Sequence, residues 1–432
     1  MSDNLPISIV EPEQTEKREL AALRLSRGGQ KAAHIPHPIT VPELKQQIRA
    51  LREDSRAGID SLVSTFEATL KYRYPGVKVY SAFDANAAVD YVSMNIGDTD
   101  TISTNNSAAI QELKPGLIRS GFSVINSYRN EYKIEEKKLL DYWDLPRLLD
   151  KNLESSFGVA IESEGLPRTE TLKYTALLGV NAVSAEDGSV VFLEHFSNIN
   201  KDLQRAERVM LVVGLDKIVG SREQAVFQSQ CMGVFGMENI LLGIEPKREG
   251  AASIDDLHLP PGIADREMHV IILDNGRRKL LGSKFADLFL CIGCRACNKH
   301  CPIRHAFIDA ENIWTPKIYL TQYLNGSLDS IDVCLHCEGC RMECPVDIDL
   351  PYFMWQAKFE HVAQYGTSFS HKVLGRPEIL AKLGTGVAPL SNWAMRQKLL
   401  RVPMESITGI DRRTRLPEFH RNTFRKKVKN HA

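Results

Sequence analysis

Eight cysteines in two matching runs constrain this chain more than any other feature. Cys291, Cys294, Cys297 and Cys301 are followed by Pro302, and Cys334, Cys337, Cys340 and Cys344 by Pro345. Each run reads C-x-x-C-x-x-C-x-x-x-C-P. Short C-x-x-C steps let one curled loop present three thiolates from a single side. A body that needs four must draw the fourth from elsewhere. The proline after each run has φ fixed near the helical value, which suits the first turn of an outgoing helix, and after Pro345 residues 347–351 lead into a helix expected through Gln364.

In bacterial-type ferredoxins the same run holds a [4Fe–4S] cluster, and where two runs occur the fourth cysteine of each ligates the other cluster. On that resemblance Cys291, Cys294, Cys297 and Cys344 hold one cluster, and Cys334, Cys337, Cys340 and Cys301 the second. The cofactors expected are two [4Fe–4S] clusters, with all eight cysteines as metal ligands. Zinc sites built on C-x-x-C need two pairs and not a triplet with a distant fourth. Disulfides suit small exported chains. Both fit the pattern less well. The ninth cysteine, Cys231, reads as a small buried hydrophobe.

At 432 residues the chain has room for two or three domains. Its 54 basic and 54 acidic residues cancel, which gives no sign of nucleic-acid binding through bulk charge. No apolar run approaches the roughly 18 residues that cross a bilayer, and no transmembrane segment is expected. The start, Met-Ser-Asp-Asn-Leu-Pro, lacks the charged and apolar regions of an export signal. A cytoplasmic location is the expectation.

Taken in order, residues 1–40 read as a flexible N-terminal arm, with a helix near Thr15–Ser26. Residues 41–282 read as a helical lead-in and an α/β domain. Leu44, Ile48, Leu51, Ile59, Leu62 and Phe66 recur at helical spacing over 41–71. Strand patterns at 77–80, 123–126, 190–193, 208–214 and 268–273 then alternate with helical ones at 84–94 and 223–237. That alternation predicts a largely parallel sheet. Residues 130–175 read as mostly helical and 245–265 as a Pro/Gly-rich excursion. Residues 283–365 read as a mainly helical two-cluster domain whose runs are parted by a 32-residue spacer, Pro302 to Val333. Residues 366–432 read as a helical segment, expected over 374–400, with a basic tail. From Asp411 that tail carries eight Lys and Arg against two acids, either a solvated end or a docking arm for an acidic partner.

One stretch outside the cysteines has the makings of a ligand seat. Ser103, Asn105, Asn106 and Ser107 form a polar turn between a strand and a helix start, where backbone N–H groups favour anions. Ser107 is equally well read as a plain helix cap. Gly179 and Gly188 either bring backbone close to a ligand or turn the chain. No Walker loop, dinucleotide fingerprint, zinc-protease or nucleophile-elbow motif is present, and no catalytic residue is assigned.

Gly179-Val180-Asn181-Ala182, Asp187-Gly188-Ser189-Val190 and Ile272-Leu273-Asp274-Asn275-Gly276-Arg277, set shortly before the cysteine runs, resemble the lactate-utilisation iron–sulfur subunits. These combine an N-terminal LUD domain with a C-terminal two-cluster ferredoxin module, and the resemblance covers about residues 70 to 365. It implies a fold related to sugar-phosphate isomerases and CoA-transferases. It also implies an electron-transfer subunit of a cytoplasmic oxidoreductase complex for lactate or another organic acid. Its partners would be a flavoprotein or a cysteine-rich, heterodisulfide-reductase-like subunit. A second reading makes the LUD domain itself catalytic or a ligand sensor, with the clusters as redox sensors.

Overall fold

Two segments, Arg208–Gly214 and Glu267–Leu273, are almost wholly apolar and rich in valine and isoleucine, the composition of a strand covered on both faces. A computed structural model places both at the centre of a sheet. It describes residues 5–12, 39–127, 173–193, 198–236, 251–252, 257–258, 267–298, 300–303, 315–328, 331–367, 369–424 and 428. The helix expected near Thr15–Ser26, residues 130–172 and most of 245–265 lie outside these. By internal contacts the chain divides into two units, Met1–Met354 and Trp355–Ala432.

The strands of the first unit are β1 (Ile7–Pro12), β2 (Ile39–Thr40), β3 (Lys78–Ala82), β4 (Thr101–Thr104), β5 (Ser123–Asn126), β6 (Thr175–Gly179), β7 (Ala182–Ser184), β8 (Val190–Leu193), β9 (Arg208–Gly214), β10 (Ile218–Val219), β11 (Ala251–Ala252), β12 (Leu257–His258) and β13 (Glu267–Leu273). Its helices are α1 (Val41–Ala57), α2 (Ile59–Arg73), α3 (Ala85–Asn95), α4 (Ala108–Arg119), α5 (Asn198–Arg205), α6 (Arg222–Phe235), α7 (Arg277–Leu281), α8 (Pro316–Leu324), α9 (Gly339–Glu343) and α10 (Leu350–Tyr365), which runs past its end.

The main sheet has the order β3-β13-β9-β6-β4-β5, and every neighbouring pair is parallel. Side chains alternate between two cores. Val209, Leu211 and Val213 pack with Phe66 and Leu70 of α2. Met210 and Val212 pack with Val92 of α3 and Ile110 of α4. Each of these buried side chains contributes about 1.5–3 kcal/mol. The α/β architecture expected from the alternating pattern is present.

Local chemistry sets the helix starts. The Asp84 carboxylate accepts from Ala87 N at 2.8 Å, Ser107 Oγ from Ile110 N at 3.2 Å, and Ser221 with Gln224 forms a reciprocal cap. The helical pattern over 41–71 becomes two helices that part at Gly58. Two elements depart from expectation more sharply. Residues 1–40 were expected to be an arm, yet β1 pairs in parallel with β8, and Leu5 and Ile7 are buried in the core. Its partner strand orders it, so its polar surroundings carry little local signal. Pro302 opens a helical turn, but Pro345, whose φ suits one, does not, and the helix expected through Gln364 begins beyond it. There the chain turns through Asp347 (φ 50°) and becomes helical only at Leu350. Ile348 N donates to Cys344 Sγ at 3.3 Å, so the backbone wraps the sulfur before it leaves.

A second sheet, β10-β7-β8-β1-β12, is mixed. Its β7–β8 hairpin turns at Gly188 (φ 77°), where the Asp187 carboxylate accepts from Ser189 N and Oγ.

The second unit contains α11 (Phe369–Leu374), α12 (Pro377–Gly386), α13 (Ala388–Arg396) and α14 (Lys398–Thr408). The helix expected over 374–400 is thus interrupted, with a proline in the first turn of α12 and of α13. Arg401 donates to the carbonyls of Asp411, Arg412 and Thr414 and fastens the start of the basic tail. Among the described residues no helix is long and apolar enough to cross a membrane.

Candidate metal centres and an adjoining cleft

The repeat in the sequence is also a repeat in the backbone. In the first run Gly293 (φ 87°) and Arg295 (φ 60°) are left-handed, two and four residues after Cys291. In the second, His336 (φ 53°) and Glu338 (φ 64°) stand at the same offsets from Cys334. Left-handed turns aim successive N–H groups into a concavity that favours negative charge, and His336 N donates to Cys334 Sγ at 3.4 Å. Three of the four are not glycine. Each costs about 1–3 kcal/mol, and such strain persists where a site requires the geometry.

The fold draws the fourth cysteine of each run toward the other run. Cys301, Cys334, Cys337 and Cys340 line one cavity of about 50 Å³, otherwise walled mainly by apolar groups including Ile303, Tyr319, Leu335 and Met354. Burial pushes the Cys340 thiol up to about 12, and the charges of Cys334, Cys301 and Cys337 push the same way. Cys297 is raised by burial and then by Cys291, Cys294, Cys344 and Cys340. Burial lifts Cys344 to about 11 against the Ile348 N–H, with Cys291 adding to the rise. Thiols crowded and buried in this way ionise together only around a multivalent cation. The donor set therefore fits iron–sulfur clusters.

Asn298, directly after Cys297, is 2 % exposed, and its side-chain amide has no partner among the described residues. A cluster sulfur would supply an acceptor for such a donor. Among the described residues no three His, Cys, Asp or Glu side chains gather tightly enough for a single metal ion. A cubane spreads its thiolates around a larger body, so this does not bear on the clusters. Cys231 is fully buried and close enough to Cys294 for the Cys294 charge to help raise it.

The first run docks on the carboxyl end of the main sheet. Buried Arg52 of α1 donates to the carbonyls of Asp216 (2.7 Å) and Phe289 (3.0 Å) and to Gln228 (3.0 Å). Its guanidinium is lowered to about 10 by burial, against the charges of Asp216 and Cys291. Lys217 Nζ donates to Ile292 O at 2.8 Å and pairs with Asp216 at 3.5 Å. Behind them Arg277 grips Glu112 with both Nη atoms (2.9 and 2.7 Å) and Asp216 through Nε (2.5 Å). Asn275 Nδ2 adds a bond to Glu112 at 2.7 Å. This is the structural role of the Asp-Asn-Gly-Arg turn, whose Asn275 (φ 45°) and Gly276 (φ 83°) are both left-handed.

Between the sheet and the first run lies a cleft of about 100 Å³. Of the residues singled out from sequence, Asn105, Asn106, Ser107 and Gly179 line it, with Cys291 and Cys297 on its far side. Ser103 does not line it, and its buried hydroxyl donates to Asp202 at 2.6 Å. Gly188 is the hairpin turn, against Tyr74. Asn105 bonds both ways with Gly179, Nδ2 to O at 2.8 Å and N to Oδ1 at 2.9 Å. Sequence reasoning missed Lys217, Arg295 and Lys317, also in the lining. They stand alone in three segments with no shared motif, and only the fold assembles them.

Gly179 is needed because a Cβ there would collide with Ser107 Oγ, itself held as the cap of α4. Gly179→Ala should cost about 1–3 kcal/mol in urea unfolding. In a Ser107→Gly background the cost should shrink, and an undiminished cost would discard this explanation.

Residues 287–348 match the 4Fe-4S dicluster domain family. The chain is accordingly an iron–sulfur protein carrying a 4Fe-4S ferredoxin-type domain. In particular, it is similar to lactate utilization protein B. Identity with the Anoxybacillus flavithermus protein is 24 % over 296 residues, 60 % of this chain and 59 % of that relative. With the Geobacillus sp. protein it is 27 % over 162 residues, 36 % of this chain and 32 % of the relative. With the Lysinibacillus sphaericus protein it is 25 % over 196 residues, 44 % and 34 % respectively. The matched region thus spans less than two thirds of each of these relatives. No solved structure matches the chain.

Proposed function

We propose that this protein is the electron-transfer subunit of a multi-protein oxidoreductase, relaying single electrons through two [4Fe–4S] clusters during oxidation of lactate or a related organic acid. What supports the reading is where the fourth cysteines lie. Cys301 shares a cavity with Cys334, Cys337 and Cys340, and Cys344 adjoins Cys291 and Cys297. Cys291, Cys294, Cys297 and Cys344 then hold one cluster, and Cys334, Cys337, Cys340 and Cys301 the other.

The clusters, when bound, supply one-electron chemistry. The chain's own residues set its conditions. Cations stand near the first group of cysteines: Lys217 reaches the carbonyls of Cys291 and Ile292, and Arg295 lies within the loop. The second group sits largely among apolar side chains. These cations would favour the more reduced, more negative state of a cluster held by the first group, and so would raise its potential relative to one held by the second. Cys340 lies near enough to Cys297 for its charge to help raise that thiol, which supports direct passage between the two groups. Dehydrogenation belongs to a partner, a flavoprotein or a cysteine-rich subunit, and the lactate-utilisation names of the relatives support that assignment. On this reading the α/β domain, residues 41–282, is the docking platform, and the complex works in the cytoplasm.

Anaerobically purified protein should hold about eight iron atoms per chain and show two reducible signals. It should not turn over hydroxy acids with an artificial acceptor. Turnover by the isolated chain, or iron near four atoms, would overturn the proposal.

A further inference from the structure

We infer that the cleft between the main sheet and the first cysteine run binds a short-chain carboxylate. The site goes beyond the relay and rests on it only for the identity of the neighbouring cluster.

Topology gives the first argument. The chain steps outward from β4 to β5, then returns to β6, β9 and β13 on the other side of β4. Open parallel sheets seat their ligands outside the carboxyl ends of the strands at such a reversal. The cleft is there, lined by Asn105 and Ser107 after β4 and Gly179 at the end of β6.

Charge gives the second. Three cationic side chains, Lys217, Arg295 and Lys317, line the cleft against one acid, Asp216, and the two cysteines, Cys291 and Cys297, that would carry the negative charge of the first cluster. That acid is already committed to Arg277 Nε at 2.5 Å. Lys217 is held by carbonyls of the cysteine loop, while Arg295 donates to Asn106 O. Lys317 is different. It stands in the first turn of α8, where the helix dipole disfavours a cation, and among the described residues its counter-charge is Asp216, felt from beyond ion-pair distance. A bound anion would offset that charge. Apolar Val180, Leu193, Ile199 and Met232 complete the wall and suit a short aliphatic stem.

Size gives the third. At about 100 Å³ the cleft is far smaller than the sites of nucleotides or drug-sized ligands. Its position beside Cys291 and Cys297 would let occupancy report on the neighbouring cluster.

The test is calorimetric titration of the anaerobic, iron-loaded full chain with lactate as the probe. One saturable site is expected, with Kd on the order of 1 mM or tighter. Lys317→Met should weaken it at least ~10-fold at unchanged iron content, while Lys317→Arg retains it. The reduced signal of the first cluster should shift on lactate addition in the parent chain and not in Lys317→Met. Absence of saturable uptake by iron-loaded protein would overturn the inference. So would equal affinity in Lys317→Met, which would leave the lysines merely offsetting cluster charge. Equal affinity for inorganic phosphate would reduce the cleft to a general anion seat and overturn it too. Failure of the relay reading shows separately, as missing iron or turnover without a partner, and leaves the lysine dependence unaltered.

Discussion

Cys344→Ala should abolish one cluster and spare the other, with iron falling from about eight to about four atoms per chain. The informative comparison is spectroscopic. If the fourth cysteines cross, Cys344→Ala and Cys291→Ala leave the same surviving signal, and Cys301→Ala matches Cys334→Ala. The physical reason is that a cubane with one iron unligated keeps three thiolates in a buried, mutually repelling group, with burial and Cys291 both raising Cys344. The remaining group is separately closed, since Cys301 lines its own cavity with Cys334, Cys337 and Cys340. A Cys344→Ala spectrum matching that of Cys334→Ala would refute the crossing.

Much of the cluster module could be read before the fold was known, because its information is local. Ligand spacing lies within a dozen residues, and the two left-handed positions recur at identical offsets in both runs. The helix caps at Asp84, Ser107 and Ser221 were legible for the same reason. What escaped depends on distant partners. β1 is a strand because β8 lies alongside it, and nothing in Ile7–Pro12 alone fixes that pairing. Pro345 looked like a helix start, but the Cys344 sulfur claims the N–H of Ile348 first. The cleft combines both cases. Its polar turn was visible as a segment, whereas its cations come from three separate segments that only the fold brings together. Arg52, buried and far upstream, gave no signal that it would hold the carbonyl of Phe289.

The largest effect on stability should come from Arg277→Met. Arg277 is 6 % exposed and serves two carboxylates, Glu112 through both Nη atoms and Asp216 through Nε. It ties the ends of β9 and β13 to α4 beneath the cleft. Removing it leaves buried Asp216 and partly buried Glu112 short of their main partner, a loss of about 3–5 kcal/mol at neutral pH. Arg277→Lys keeps the charge but not the fork and should recover only part of this.

The pH dependence separates the ionic loss from a packing loss. Burial alone would raise Asp216, but the charges of Arg277, Lys217 and Lys317 overcome it and hold the carboxyl well below the usual range. A carboxylate with a lowered folded pKa contributes stability that is fully present above its unfolded value of about 3.9 and is lost as pH falls through the folded value. In Arg277→Met the strongest of these opposing charges is gone, so burial counts for more and the folded value rises. The deficit against the parent chain should therefore be greatest near pH 7 and narrow as pH falls through the raised folded value of the variant. Urea midpoints taken on iron-loaded protein at both ends of that range measure it. A deficit of constant size would mean that the guanidinium acts through volume and hydrogen bonds, with its charge contributing little.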